Sequence, residues 1–310
     1  MKLCKIAILG LGGVGGYYGA KLAKRYENNN EVRIFFIVRG EHLKAIQKRG
    51  VHLTTDEEDF YASPQLATDT SEDIGMCDYV IVTTKSYDLH SSINQIKSCI
   101  GKDTVILPLL NGGNISKKIS ELLPKSKVWS GLSYIVSRKT APGEIVTTGS
   151  LRRMVFGCEC EDNERLNHFE QLMKNADIDA VWSKNIRESV WKKFYFISVT
   201  ASLTSYFNVG FNELVETDER QTFVAGFAQE FISVAEKEGI SLGKDTLNEL
   251  LNRSNNLPTG TTTSMHSDFM TGENTEVETL TGEIVCLAHK HNVQTPLYEK
   301  VYKELKSRNK

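Results

Sequence analysis

A glycine-rich segment near the start of the chain, KIAILGLGGVGGYYGAKL (residues 5–22), constrains the fold more than any other feature. It places Gly10, Gly12 and Gly15 in a G-x-G-x-x-G pattern, after an apolar run and before a helical pattern. In such a strand–turn–helix, Gly10 permits the tight turn, Gly12 lets the backbone approach a pyrophosphate, and Gly15 lets the helix pack closely on the strand. The helix N-terminus offers free N–H groups to the phosphates. The segment therefore predicts a dinucleotide-binding turn rather than an ordinary glycine-rich connection.

The end of the second apolar run, FFIVRGEHL, predicts which nucleotide is bound. An Asp or Glu at this place binds the ribose 2′-hydroxyl of NAD, whereas Arg39 stands here. A guanidinium can bind a 2′-phosphate through two charge-assisted hydrogen bonds. We therefore expect NADP(H) to be bound in preference to NAD(H). The alternative is that Arg39 is a solvated loop residue and Glu41 binds the ribose.

The first part of the chain alternates short apolar runs with helical patterns, which predicts a doubly wound, Rossmann-type α/β domain. The near-continuous apolar character of the runs is typical of parallel strands that are covered on both faces. The four runs are residues 5–10, 32–38, 78–84 and 103–110.

From about residue 128 to 183 the pattern indicates antiparallel strands, then a helix near 163–175 and a short final strand. After about residue 185, apolar stripes at helical spacing replace the strand signals. One stripe begins at Phe223 and another at Val277, and either could pack internally or form a homodimer. The sequence thus predicts a Rossmann-type domain over 1–184, followed by an all-helical domain over 185–310.

Composition excludes several classes of function. The net charge is −2, from 37 basic and 39 acidic residues, so nothing indicates binding to nucleic acid or an anionic membrane. No apolar run reaches the roughly 18 residues that a membrane span needs. The scattered cysteines predict free thiols in a reducing, cytoplasmic compartment, and their spacing predicts no metal site. They are residues 4, 77, 99, 158, 160 and 286.

Several further segments, in this order and spacing, resemble the ketopantoate reductases (2-dehydropantoate 2-reductases). The resemblance spans essentially the whole chain, and its most specific segment is NIRESVWKKF. It implies a Rossmann-type domain, a helical domain and the NADPH-dependent reduction of a branched 2-oxo acid on the route to pantothenate. The matching segments are GLGGVG at 10–15, TTK at 83–85, LNGG at 110–113, NIRESVWKKF at 185–194 and TSMHSD at 263–268 with Glu276.

Lys193 is the residue that we expect to carry the chemistry. Hydride transfer to a ketone builds negative charge on the oxygen, so a proton donor must lie against that atom. Lys193 is flanked by aromatic residues in VWKKFYF, where burial could lower its pKa. A helical lysine is most often solvated, and the resemblance is what favours the role of general acid. The adjacent Lys192 provides a control.

The resemblance assigns the other site residues. Asn111 follows an apolar run and precedes a helical pattern, so it should lie at the carboxyl end of a strand rather than in a hairpin. The resemblance implies that Asn111 contacts substrate and the nicotinamide ribose, that Lys85 lies beside the cofactor and that Ser264 binds the substrate carboxylate. It also implies that Glu276 accepts a hydrogen bond from a substrate hydroxyl and positions Lys193. The full prediction is Lys193 and Glu276 as catalytic, Asn111, Ser264 and Thr261 as substrate-binding, and Gly10, Gly12, Gly13, Val14, Gly15, Arg39, Lys85, Asn111 and Glu276 as cofactor-binding.

The chain also departs from the family pattern. Asparagines usually follow the lysine by four and eight residues, whereas Ile197 and Ala201 stand here, and Thr261 replaces another asparagine. The groups that would recognise the hydroxyl end of ketopantoate are therefore altered, which leaves two alternatives open. The protein could reduce a less polar 2-oxo acid, or it could bind NADP(H) as a sensor without turnover.

Overall fold

The computed structural model describes residues 3–159, 162–243, 245–258 and 260–309. The chain divides into two compact units. The first, here the N-terminal unit, comprises Met1–Leu110 and Asn114–Ile186. The second, the C-terminal unit, comprises Arg187–Lys310 together with the short segment Asn111–Gly113.

The strands of the described chain all lie in the N-terminal unit. They are β1 (Cys4–Leu9), β2 (Val32–Ile37), β3 (Val51–Thr54), β4 (Asp59–Ala62), β5 (Leu66–Thr68), β6 (Tyr79–Val82), β7 (Val105–Pro108), β8 (Lys127–Val128), β9 (Ser130–Ala141), β10 (Glu144–Gly157) and β11 (Asp179–Trp182). The helices of this unit are α1 (Gly13–Tyr26), α2 (Gly40–Arg49), α3 (Leu89–Gln95), α4 (Ile115–Leu122) and α5 (Asn163–Asn175).

The main sheet has six parallel strands in the order β5-β2-β1-β6-β7-β8. Its central strands are apolar at successive positions because both faces of the sheet are covered. In β1, Ile6 and Ile8 enter one core together with α1, while Ala7 and Leu9 enter a second core together with α3 and α4. The alternation of side chains along a strand divides one apolar run between two cores.

A second sheet has the order β11-β10-β3-β4, and the long strand β9 pairs antiparallel with β10. Tyr18 of α1 lies in a core with Ile145 of β10 and Phe156 near the end of that strand, so this sheet covers α1 on the side away from the main sheet. The Tyr18 hydroxyl hydrogen-bonds Ser133 of β9 at 2.7 Å.

The C-terminal unit is helical. Its helices are α6 (Ile186–Phe207), α7 (Asp218–Lys237), α8 (Thr246–Asn255), α9 (Ser264–Thr271), α10 (Glu283–His291) and α11 (Pro296–Arg308), and a π-helical segment runs over Glu278–Gly282. The two predicted stripes pack within the unit, since Phe227, Phe231 and Ile284 all lie in its core. The predicted Rossmann-type fold followed by a helical region is confirmed.

Some details of the prediction are wrong. The sequence pattern does not predict the short strands β3, β4 and β5, which carry too few residues to show one. Of the antiparallel strands predicted from about residue 128, β10 is a single long strand with an irregular register near Thr148, and it also pairs in parallel with β3 and β11. The expectation of free thiols fails at Cys158, which is disulfide-bonded, because sequence spacing alone does not report pairing. Cys160 lies outside the described residues. No helix of the described residues is long and apolar enough to cross a membrane.

Candidate active site

The glycine turn joins β1 to α1 in the N-terminal unit. Gly10 has a φ of +84°, a left-handed conformation that favours glycine. An ideal Cβ on Gly15 would lie 2.0 Å from the carbonyl oxygen of Gly10, so no side chain fits there. The hydroxyl of Thr83, just beyond β6, lies 3.0 Å from the carbonyl oxygen of Leu9 and fixes the turn from the neighbouring strand.

Gly12 differs from the other glycines of the turn. It stands at the N-cap of α1 in an extended conformation, and an ideal Cβ there would meet nothing within 4 Å. The packing of the chain therefore does not demand glycine at this position, whereas the close approach of a bound pyrophosphate would. Gly13 and Val14 open the helix. A Cβ on Gly13 would lie 2.0 Å from the carbonyl oxygen of Ser137, so Gly13 is required by contact with β9.

Arg39 lies two residues beyond β2, at the N-cap of α2, and its side chain is exposed. Glu41, the alternative ribose-binding residue, pairs with Lys44 at 2.8 Å. His42 is buried and connects α2 to the glycine turn through a 2.8 Å hydrogen bond to the carbonyl oxygen of Leu11. Lys85 is half-buried, three residues after the end of β6 rather than on the strand itself.

Lys193 lies in the second turn of α6, in the C-terminal unit. Its neighbours Trp191 and Phe194 are fully buried and pack edge to face against each other and against Phe231. This aromatic cluster anchors α6 in the core of the unit, and Lys193 itself is half-buried. Lys192, in contrast, is exposed and pairs with Glu188 at 2.6 Å.

Lys193, Asn111 and Glu276 form a hydrogen-bonded chain. The Lys193 Nζ donates to the Asn111 Oδ1 at 3.0 Å, and the Asn111 Nδ2 donates to the Glu276 Oε2 at 3.3 Å. Burial lowers the pKa of Lys193 to about 8, and the carboxylate of Glu276 opposes part of that shift. An ammonium of this pKa is still mostly protonated at neutral pH, yet it is a much stronger acid than an ordinary lysine.

Two glycines bring Asn111 to Lys193. Asn111 lies three residues beyond β7, and Gly112 has a φ of +130°, which turns the chain. A Cβ on Gly113 would lie 2.6 Å from the ring of Phe194, so the backbone packs directly on the aromatic cluster. The LNGG segment therefore fixes an amide side chain against the lysine, and the helix α4 that follows excludes a hairpin here.

Glu276 is held from two sides and is only 5% exposed. The preceding Thr275 donates its hydroxyl to Asn309 at 2.8 Å, at the end of α11. The π-helical segment begins two residues later, and the hydroxyl of Ser198 in α6 donates to its Leu280 carbonyl. Irregular helical turns of this kind often accompany functional sites. The sequence pattern does not predict these hydrogen bonds, because they join residues far apart in the chain.

Ser264 and Thr261 lie at the start of α9. Thr263 caps this helix, so Ser264 is not the cap; it occupies the first turn and is exposed. Thr261 is half-buried and accepts a 2.9 Å hydrogen bond from the backbone of Phe211 through its carbonyl oxygen. The Thr263 hydroxyl lies 3.0 Å from that of Thr204 near the end of α6, which ties the Ser264 region to the lysine helix.

Ile197 and Ala201 follow Lys193 at intervals of four, so they share its face of α6. Ile197 is half-buried and Ala201 is buried. The hydroxyls of Ser198 and Ser202 do not replace the missing asparagines, because they bond to Leu280 and Thr281 in the π-helical segment. The helix face beyond Lys193 is therefore apolar.

The chain has, in separate units, a glycine turn suited to a dinucleotide and a half-buried lysine suited to proton donation. This combination defines an oxidoreductase of the Rossmann type. Comparison with known proteins identifies the family: the ketopantoate reductase PanE/ApbA model matches residues 6–159, and the model of its C-terminal domain matches residues 185–309. The chain belongs to the ketopantoate reductase family.

Individual relatives agree with this placement along the whole length. A 2-dehydropantoate 2-reductase from Porphyromonas gingivalis, known by crystal structure, is 34% identical, with a TM-score of 0.85 and coverage of 98% of this chain and 99% of that one. An uncharacterised oxidoreductase of Bacillus subtilis, YkpB, is 28% identical over 302 residues, 97% of each chain. A D-mandelate dehydrogenase, solved with NADH and anilino(oxo)acetate, shares the fold at 24% identity, with a TM-score of 0.84 and coverage of 98% of both chains.

Proposed function

We propose that the protein reduces 2-dehydropantoate (ketopantoate) to pantoate with NADPH, as a cytoplasmic enzyme of pantothenate biosynthesis. The observation that carries the proposal is the hydrogen-bonded series Lys193–Asn111–Glu276, in which a half-buried amine of lowered pKa donates to an amide that in turn donates to a carboxylate. The name of the Porphyromonas relative supports the choice of substrate.

The glycine turn fits a nicotinamide dinucleotide. Gly12, whose Cβ position is open, would lie against the pyrophosphate together with the N-terminus of α1, formed by Gly13 and Val14. Arg39 would bind the 2′-phosphate, and Lys85, Asn111 and Glu276 complete the proposed cofactor set. When bound, the reduced nicotinamide supplies the hydride that the carbonyl carbon of the substrate takes up.

The residues of the C-terminal unit carry the remaining chemistry in this proposal. Lys193 donates a proton to the carbonyl oxygen as negative charge builds on it, which leaves a neutral amine. Asn111 and Glu276 hold the ammonium in place, and Glu276 accepts a hydrogen bond from a substrate hydroxyl. Ser264, exposed in the first turn of α9, binds the substrate carboxylate close to helix N–H groups, with Thr261 beside it.

Initial rates of NADPH oxidation over a panel of 2-oxo acids test the proposal. Ketopantoate should give the highest kcat/KM of the panel, and NADH should be a poorer cofactor than NADPH. Tight NADPH binding without turnover of any 2-oxo acid would instead indicate a sensor. Equal use of NADH and NADPH would overturn the role of Arg39.

A second candidate substrate is favoured by the apolar face of α6. Ile197 and Ala201 offer no hydrogen bond to a substrate hydroxyl, and burying an unmatched polar group is costly. A 2-oxo acid with an apolar side chain would fit this face better than ketopantoate. A higher kcat/KM for such an acid than for ketopantoate in the same panel would select this alternative.

A further inference from the structure

The hairpin of β9 and β10 packs against the glycine turn and the start of α2. The Ser137 hydroxyl donates to the carbonyl oxygen of Gly13 at 2.9 Å. At the tip of the hairpin, the backbone N–H of Gly143 donates to the His42 Nδ1 at 2.7 Å. The second sheet therefore supplies one wall of the region in which we place the nucleotide.

The pairing of the hairpin shows which side chains of β9 face that wall. Ser137 pairs with Thr147, and Lys139 pairs with Ile145. Residues two apart on a strand share a face, so Lys139 lies on the same face as Ser137, which contacts the glycine turn. The side chain of its partner Ile145 packs on α1, since an ideal Cβ on Gly16 would lie 2.4 Å from the Ile145 Cδ1. Arg138, between Ser137 and Lys139, belongs to the opposite face.

His42 connects the same elements and remains uncharged. Because its Nδ1 accepts from Gly143, its Nε2 carries the proton and donates to the carbonyl oxygen of Leu11. Burial lowers the pKa of His42, and the positive charge of Lys139 lowers it further. Lys139 pairs with Ile145 and precedes Gly143, the donor to His42, by four residues, so it lies at the same end of the hairpin as this hydrogen bond. His42 lies one turn after Arg39, so both cations lie near the first turn of α2.

Nothing in the described chain neutralises these cations. Neither Arg39 nor Lys139 forms an ion pair with a described residue, and Glu41 and Glu144 pair with Lys44 and Arg49. We propose that Lys139 is a second phosphate-binding residue of the nucleotide site, which acts with Arg39 on the 2′-phosphate of NADP(H). This inference rests on the proposed function and adds a specificity residue from outside the βαβ unit.

Nucleotide binding to the full chain tests the inference. The dissociation constants of NADPH and NADH are measured by fluorescence titration for the wild type, Lys139→Gln, Lys139→Arg and the neighbouring control Arg138→Gln. Loss of one charge-assisted phosphate contact should weaken NADPH binding by about tenfold. NADH binding should be unchanged in Lys139→Gln. Lys139→Arg and Arg138→Gln should keep the wild-type preference for NADPH.

Other outcomes overturn the inference, and they separate its failure from that of the proposed function. If the wild type prefers NADPH and Lys139→Gln keeps the whole preference, Lys139 has no such role but the NADPH assignment stands. If Lys139→Gln weakens the binding of NADPH and NADH equally, the lysine contacts the pyrophosphate or stabilises the fold, and it does not bind the 2′-phosphate. If the wild type itself shows no preference for NADPH, both proposals fail.

Discussion

In the N-terminal unit, the glycine turn presents backbone to the proposed ligand. Gly13 and Gly15 are required there by close contacts with the backbone of Ser137 and of Gly10. In the C-terminal unit, the predicted site is made of side chains, since Lys193, Asn111 and Glu276 contact one another through their functional groups. A substitution at Gly13 or Gly15 should therefore change the shape and stability of the turn, and one at Lys193, Asn111 or Glu276 should change chemistry.

The largest effect is expected at Lys193. Replacement by Ala removes the proposed proton donor, so kcat for reduction should fall about 10³-fold, while NADPH binding remains near the wild-type value. Steady-state rates and nucleotide titration measure the two quantities. The control Lys192→Ala removes an exposed lysine that pairs with Glu188 and should stay within about twofold of the wild type. Near-normal turnover of Lys193→Ala would exclude the assignment.

Two glycine variants should separate the effect of the glycine turn on stability from its effect on nucleotide binding. Gly15→Ala places a methyl group 2.0 Å from the Gly10 carbonyl oxygen, so the free energy of unfolding should fall by at least about 2 kcal/mol. The methyl group of Gly12→Ala would lie in open space, so the free energy of unfolding should change by less than about 0.5 kcal/mol. The same Gly12→Ala should weaken NADPH binding by about tenfold, because its methyl group faces the proposed pyrophosphate.

Denaturant unfolding and nucleotide titration of both variants measure these effects. A stable Gly15→Ala protein would show that the turn can widen. Unchanged NADPH affinity in Gly12→Ala would show that the open space beside Gly12 is not where the pyrophosphate binds.

Glu276→Gln should change the protonation of Lys193, the proposed general acid, rather than the fold. The carboxylate supports the charged form of Lys193, so its removal lowers the pKa of the lysine further. Fewer molecules are then protonated at neutral pH, and the hydrogen bond from the substrate hydroxyl is weakened as well. Reduction at pH 7 should therefore slow by about tenfold, with the alkaline limb of the pH–rate profile displaced to lower pH. The control Glu278→Gln, at an exposed residue paired with Lys306, should leave the profile in place. An undisplaced profile in Glu276→Gln would argue against this coupling.

The smallest effect is expected for Ile197→Asn. The new asparagine would lie one turn beyond Lys193 and could form a hydrogen bond with a substrate hydroxyl. The kcat/KM ratio of hydroxylated to apolar 2-oxo acids should rise by about three- to tenfold. Ile197→Val, which keeps the face apolar, is the matched control for the substrate panel. A ratio that does not move would remove this face from substrate recognition.

The sequence was sufficient for features that depend on local pattern. The strand–turn–helix around Gly10 and the helix that carries Lys193 could be predicted because spacing and composition encode them directly. The hydrogen bonds that join Asn111 with Lys193 and with Glu276 connect residues up to 165 positions apart, and only the resemblance to a family grouped them. The sequence pattern does not predict the contact of β9 with Gly13 or the hydrogen bond from Ser198 to the π-helical segment.

The pH dependence of kcat/KM for the wild-type enzyme, with saturating NADPH, tests the central claim most directly. Because the protonated amine is the donor, reduction should be fastest below the pKa of Lys193 and should fall above about pH 8, tenfold per pH unit. The reverse oxidation needs the neutral amine and should rise over the same range. A rate of reduction that stays constant up to pH 10 would contradict a lysine of lowered pKa as the general acid.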